Sequence, residues 1–286
     1  MSEDLDVDHA LILHDDLGVA VAGLERLGFR PTPPGYHGAV LGTENVTIML
    51  PDRRTYVEVL VVREPTEINA GQRAAFGQRG RHLFGAALKG DARALHARLA
   101  PLGIAQGEPF EFKRAVALPQ GARDAAFTIA PFRDGALPGL ASFVCQHHTP
   151  EVVWRDDYLS HENGAQALTA LWGVADDPAA VGETLAALYG KPVHSDAQGV
   201  TVETGTAAIH YLSPSAWTKR FPGVRLESDA PRILALEFTV HALATYAAQL
   251  GVAGVPVGLG EAEIVVPDAL GLGVAMVFRA ARATPH

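Results

Sequence analysis

Four times along the chain one order of local signals recurs: an apolar segment, a helical pattern closing on an apolar residue and Gly, then further extended segments, with an acidic residue before the helix in the first three. In the first unit 10–13 is the apolar segment. Asp16 is placed to accept a first-turn N–H, and Leu27-Gly28 closes the helix. Segments 38–41, 46–50 and 56–62 are the expected returning strands, rich in β-branched residues between Gly, Pro and Asp. The second unit has a strand at 83–88, Asp91 as cap, a close at Leu102-Gly103, and strands at 110–116, 125–130 and 141–146. The third has 168–174, then Asp176-Asp177-Pro178 opening a helix that closes at Tyr189-Gly190, then 200–203 and 207–212. The fourth has 233–240, a helix closing at Leu250-Gly251, then 255–258, 262–266 and 274–279. A plan repeated every 45–80 residues or so predicts an α+β protein of four βαβββ-type modules. A polar, turn-like stretch near 156–166 divides them into domains 1–160 and 161–286, two modules each.

Two charged residues interrupt the apolar strands. His9 follows Asp8 at the start of the first, and Glu58 sits in Tyr56-Val57-Glu58-Val59-Leu60. Charge inside a strand is costly unless it meets water, a partner or a metal. Strand alternation puts Glu58 with Tyr56 on one face and the two valines on the other, under the helices. His37 falls in a Pro- and Gly-rich loop. Thr43 and Asn45 suit a turn, and His147 and His148 leave the 141–146 strand together.

These segments resemble the vicinal oxygen chelate superfamily, and residues 7 to about 185 resemble its glyoxalase-like domain group. The matching stretches are Asp8-His9, His37 with Gly42-Thr43-Glu44-Asn45, and 56–60. Further matches are the run from Phe143 to Glu151, Trp154, and His161-Glu162-Asn163-Gly164-Ala165. The superfamily includes glyoxalase I, extradiol dioxygenases, fosfomycin-resistance and bleomycin-binding proteins. Its modules pair into half-barrels, so the resemblance implies two such half-barrel domains here. It also implies metal ligands on the first and last strands of paired modules. His9 and Glu58 fill those places in the first module. In the second, aligning Gly28 with Gly103 sets Phe84 opposite His9, with His82 two residues earlier on that face and Gln146 at the Glu58-like place. The implied metal set is His9, Glu58, Gln146 and His82, for a divalent ion such as Zn, Ni, Mn or Fe. Glu58 and His147 are the implied proton carriers. His37, Tyr56, Phe84, Gln146 and Trp154 are the implied substrate contacts, Trp154 also serving to staple the halves. His210 and Glu237 are candidates for a second site. Dioxygenase chemistry is disfavoured, because the matching places in units three and four hold apolar residues or Arg279.

Composition narrows the partners. With 23 Lys+Arg against 32 Asp+Glu and no basic cluster, nucleic acid is not expected. The acidic start Met1-Ser2-Glu3-Asp4 and the lack of an 18-residue apolar run point to a cytoplasmic chain with no membrane partner. The single Cys145 excludes a disulfide framework. A homodimer is allowed. Two functions stay open for a small oxygen-rich or aromatic ligand: a metal-dependent lyase, isomerase or hydrolase, or a metal-free binding protein that sequesters a drug-like molecule. A third is an interaction protein with a vestigial site.

Overall fold

Each unit folds as one βαβββ module in the computed structural model, which describes residues 5–118, 121–226, 231–260 and 262–281. The first contains β1 (Asp6–His14), α1 (Leu17–Arg26), β2 (Gly35–Tyr36), α2 (Gly38–Leu41), β3 (Thr43–Met49) and β4 (Tyr56–Val62). Helix α3 (Ala70–Arg79) leads to the second: β5 (His82–Lys89), α4 (Ala92–Leu99), β6 (Phe110–Leu118), β7 (Gly121–Pro131) and β8 (Ala141–His147). A single turn, α5 (Pro150–Val153), precedes the third: β9 (Ala165–Val174), α6 (Pro178–Tyr189), β10 (His194–Ser195), β11 (Gly199–Val202) and β12 (Ala208–Leu212). After α7 (Pro214–Arg220), the fourth has β13 (Arg232–Val240), α8 (Leu243–Val252), β14 (Gly258–Leu259), β15 (Glu263–Val266) and β16 (Ala275–Ala280). The expected caps form: Asp16, Asp91 and Asp177 each accept a backbone N–H three residues on.

Two eight-stranded sheets result, in the orders β2-β3-β4-β1-β5-β8-β7-β6 and β10-β11-β12-β9-β13-β16-β15-β14. The fold is therefore mixed α+β with two half-barrel sheets. Within a module the first and last strands run parallel, as β1 with β4 and β5 with β8. Paired modules meet along antiparallel β1–β5 and β9–β13.

One sheet face and the helices share a single core. Ile12, Val57, Val59 and Val144 on the first sheet belong to the same buried cluster as Leu24 of α1, Leu95 of α4, Leu185 of α6 and Tyr246 of α8. Phe29 packs 5.4 Å from Phe238 of the second half. Around it the link closes with polar bonds: Asn163 Nδ2 and the Tyr246 hydroxyl both donate to the Leu27 carbonyl. His161 Nε2 bonds to the Met49 carbonyl, and its Nδ1 accepts from Arg30 N–H.

One expected strand is absent. Residues 38–41 form the single turn α2, because Gly35 and Tyr36 already occupy the edge of β3, opposite Asn45 and Glu44. Helices α3 and α7 lie outside the repeated plan. No helix among the described residues is long and apolar enough to cross a membrane.

Gly273 pins the seam between halves. Its φ is +72°, and a Cβ there would stand 2.0 Å from the Arg81 carbonyl oxygen, just before β5. Gly273→Ala is expected to add about 1–3 kcal/mol of backbone strain and to push the halves apart. The thermal midpoint should fall by roughly 2–5 °C. An unchanged melt would show that the seam yields freely.

Candidate functional site

The β1–β5 ladder carries two irregularities, and both serve the other face of the first sheet. Between Val7 and His9 the register shifts by one, which leaves Asp8 as an extra residue. That bulge lets Asp8 and His9, adjacent in sequence, bond to one another on one side of the strand. Between Leu11 and Ile12 a second shift leaves Phe84 out of the pairing. Phe84 lines the cavity that this face encloses.

Asp8 is fully buried and holds three partners. Its Oδ2 accepts from His9 Nδ1 at 2.8 Å and from His147 Nε2 at 3.0 Å, and its Oδ1 lies 3.2 Å from Lys89 Nζ. Burial alone would raise its pKa, but attraction and hydrogen bonds from His147 and His9 outweigh this and hold the carboxyl far below the usual range. An ionised Asp8 places the His9 proton on Nδ1 and turns Nε2 toward Glu58 Oε2, 3.4 Å away. The His9 ring stacks on Tyr56 with centroids 4.2 Å apart. Glu58 Oε1 accepts from Asn45 Nδ2 at 2.7 Å and lies 3.6 Å from His37 Nε2. Thr43 Oγ1 fixes the other ring nitrogen of His37 at 2.9 Å. Burial lowers the His37 pKa more than the Glu58 charge raises it, so the imidazole is biased to its neutral form.

Glu58 thus stands between two imidazole nitrogens at distances too long for good hydrogen bonds. Two ligands about 2.1 Å from a tetrahedral ion are about 3.4 Å apart, so His9 Nε2 and the Glu58 carboxylate suit one edge of a divalent-metal site. The carboxylate behind His9 is the usual arrangement for a ligating imidazole. A second set, Asp8, Cys145 and His147, has donor atoms all within 4.8 Å of one another. There Asp8 is already engaged by two imidazoles and a lysine.

The cavity measures about 290 Å³. Its polar end is His9, His37, Asn45 and Glu58, and its walls are mainly Tyr56, Phe84, Phe112, Phe127, Phe132 and Phe143. Of the residues expected from sequence, His9, His37, Tyr56, Glu58 and Phe84 line it.

Four expected residues do not line it. Gln146 is not a cavity ligand: it shares the face of Val144, which is in the main core, and its Oε1 accepts from Ala92 N–H at the start of α4. Strand alternation gives the cavity face to Phe143 and Cys145 instead. His82 does not line the cavity either; its Nδ1 is tied to the Gly80 carbonyl at 2.8 Å, near the seam. Trp154 stands behind the wall, edge-on to Tyr56 at 5.6 Å and tilted 4.9 Å from His147. His147 itself reaches the polar end through Asp8. Asp8, Asn45 and Cys145 are given no site role by the sequence, and Arg114 is not singled out by it at all. A charged pair at the head of an apolar strand was the available signal for Asp8, because alternation cannot put both on one side without a bulge.

In the second half the corresponding face is packed. Trp217 and Phe221, from α7 and its end, join Val174, Leu212, Ala235 and Val277 in one buried cluster. His210 and Glu237 do not meet. Trp172 lies between them, stacked 3.8 Å from His210 and donating its Nε1–H to Glu237 at 3.1 Å.

Residues 7–189 match a family model described as a glyoxalase-like domain. No curated protein matches the chain. Among solved structures, a hypothetical protein from Staphylococcus aureus superposes with TM-score 0.65 at 10% identity, covering 97% of this chain and 100% of that one. A mutant 4-hydroxymandelate synthase from Streptomyces coelicolor gives 0.61 at 14%, covering 98% and 94%. A xylose isomerase-like TIM barrel/4-hydroxyphenylpyruvate dioxygenase fusion protein gives 0.58 at 14%, covering all of this chain and 51% of that one. At these identities the likeness is one of fold.

Proposed function

Since the chain belongs to the glyoxalase-like domain family, we propose that its first half is a small-molecule enzyme site in which Glu58 moves a proton on a bound oxygen-bearing ligand. The observation that carries this is the Glu58 carboxylate held between His9 Nε2 and His37 Nε2 at the polar end of an aromatic cavity. Asn45 orients the carboxylate through Oε1 and leaves Oε2 to accept the proton. Asp8 holds the His9 ring with Nε2 facing Glu58, so the two groups keep their relative positions while Glu58 takes the proton.

His9 and Glu58 would hold a divalent ion, Zn, Ni, Mn or Fe, with His37 beside them. Bound there, an ion would polarise ligand oxygens and stabilise developing negative charge. A lyase, isomerase or hydrolase acting next to a carbonyl fits that chemistry. The aromatic lining supports a second reading, in which the cavity only binds its ligand.

Elemental mass spectrometry separates the two. Protein incubated with each metal salt and then dialysed is expected to keep about one ion per chain at His9 and Glu58. His9→Ala and Glu58→Ala should lose it, and Cys145→Ala should retain it. Metal retained in the first two variants but lost in the third would move the site to Asp8, Cys145 and His147. No retained metal in the wild type would leave the binding reading.

A further inference from the structure

Arg114 sits on β6 between Phe112 and Val116, and alternation directs all three to the inner face of the first sheet. It lines the cavity and is half-buried. Among the described residues it has no hydrogen bond or ion pair. Asp134 lines the same cavity without pairing to it. The guanidinium lies over β2: a Cβ built on Gly35 would stand 3.3 Å from Arg114 Nη1 and 2.7 Å from Asn45 Oδ1. The absent side chain lets the cation approach the polar end, close enough for its charge to add to the burial that lowers the His37 pKa and to oppose in part the burial that raises that of Tyr56. An unpaired cation among phenylalanines is costly unless something anionic joins it. Arginine's planar fork suits a carboxylate.

We propose that Arg114 binds the carboxylate of a single-ring aromatic ligand, so that the cavity takes small aromatic acids. This rests on the small-molecule reading above. A volume of about 290 Å³ is at the lower end for ligand pockets and suits one ring with short substituents. The ring would stack among Phe84, Phe112, Phe127 and Phe143, with the acid drawn to Arg114 on the Gly35 and Asn45 side of the polar end, where Glu58 also stands. Such an orientation would make Arg114 a determinant of specificity and leave the proton chemistry to Glu58.

Calorimetric titration of the full chain tests this with phenylacetate and 4-hydroxybenzoate against their neutral amides, phenylacetamide and 4-hydroxybenzamide. The wild type is expected to prefer the acids about 10- to 100-fold. Arg114→Met should abolish the preference while leaving amide affinity in place, and Arg114→Lys should keep part of it. Amide binding also reports that the Met variant is folded. Equal binding of acids and amides by the wild type overturns the assignment and leaves the aromatic cavity standing. So does a preference that survives in Arg114→Met and vanishes in His9→Ala, which would put the acid on His9 instead. No binding of any probe overturns both this assignment and the small-molecule reading it rests on. Metal retention, measured separately, can fail without disturbing the acid preference.

Discussion

Asp8→Ala should cost about 3–5 kcal/mol of stability, more than any other single change at the site. The carboxylate is fully buried and serves His9, His147 and Lys89 at once. Removing it strands two buried imidazoles, while the Lys89 ammonium keeps its bond to the Arg54 carbonyl. Nδ1 of His147 is already buried without a partner, so that ring has nothing else to bond. The same variant should weaken Zn(II) binding 10- to 100-fold, because His9 loses the group that fixes its tautomer and direction. Urea denaturation and chelator competition measure the two effects. Stability within about 1 kcal/mol of wild type, with unchanged Zn(II) affinity, would show that water replaces the carboxylate.

Acid should unfold the protein in two stages. Burial lowers the pKa of His14, His37, His82 and His161, and holds His210 at about 4, with the Arg220 charge adding to the effect there. The unfolded rings titrate near 6.5. Above that pH both states are neutral and stability does not vary on their account. As pH falls below 6.5, the unfolded chain takes up protons that the folded chain refuses, so stability drops until the folded pKa values are reached. For His210 the window runs from 6.5 to about 4, a loss of roughly 3 kcal/mol at most, since the ring is partly exposed. Asp8 acts in the second stage. Its folded pKa lies below the unfolded 3.8, so its contribution is present above 3.8 and disappears as pH falls further. Urea midpoints at pH 7.5, 5.5 and 4.5 should decline steadily, and His210→Gln should flatten part of the slope. Midpoints constant over that range would contradict the neutral-histidine assignment.

The fold was legible because its signals repeat. Capping carboxylates at Asp16, Asp91 and Asp177 and the strand 56–62 lie where sequence placed them. The first module's site was legible for a similar reason: His9 and Glu58 are charges in apolar strands. The second module's was not. In Phe143-Val144-Cys145-Gln146 every residue but the last is apolar, so alternation has no polar marker to fix the phase. Gln146, expected at the inward Glu58-like place, is a side chain on the core face that accepts from Ala92 N–H at the start of α4. The Phe84 and Asp8 bulges were hidden too, since a bulge depends on the partner strand's register. Arg114 gave no signal because one arginine in an amphipathic strand resembles any solvated charge.

The core described above runs without a break from Leu24 to Phe278. Mass action then reaches further than contact. A ligand seated beside Glu58 stabilises the native chain as a whole, by RT ln(1 + [L]/Kd), and not the first half alone. Amide hydrogens on β13 and β16, which touch no ligand, would exchange more slowly whenever their exchange requires that core to open. The packed second half would act as a reporter of occupancy in the first.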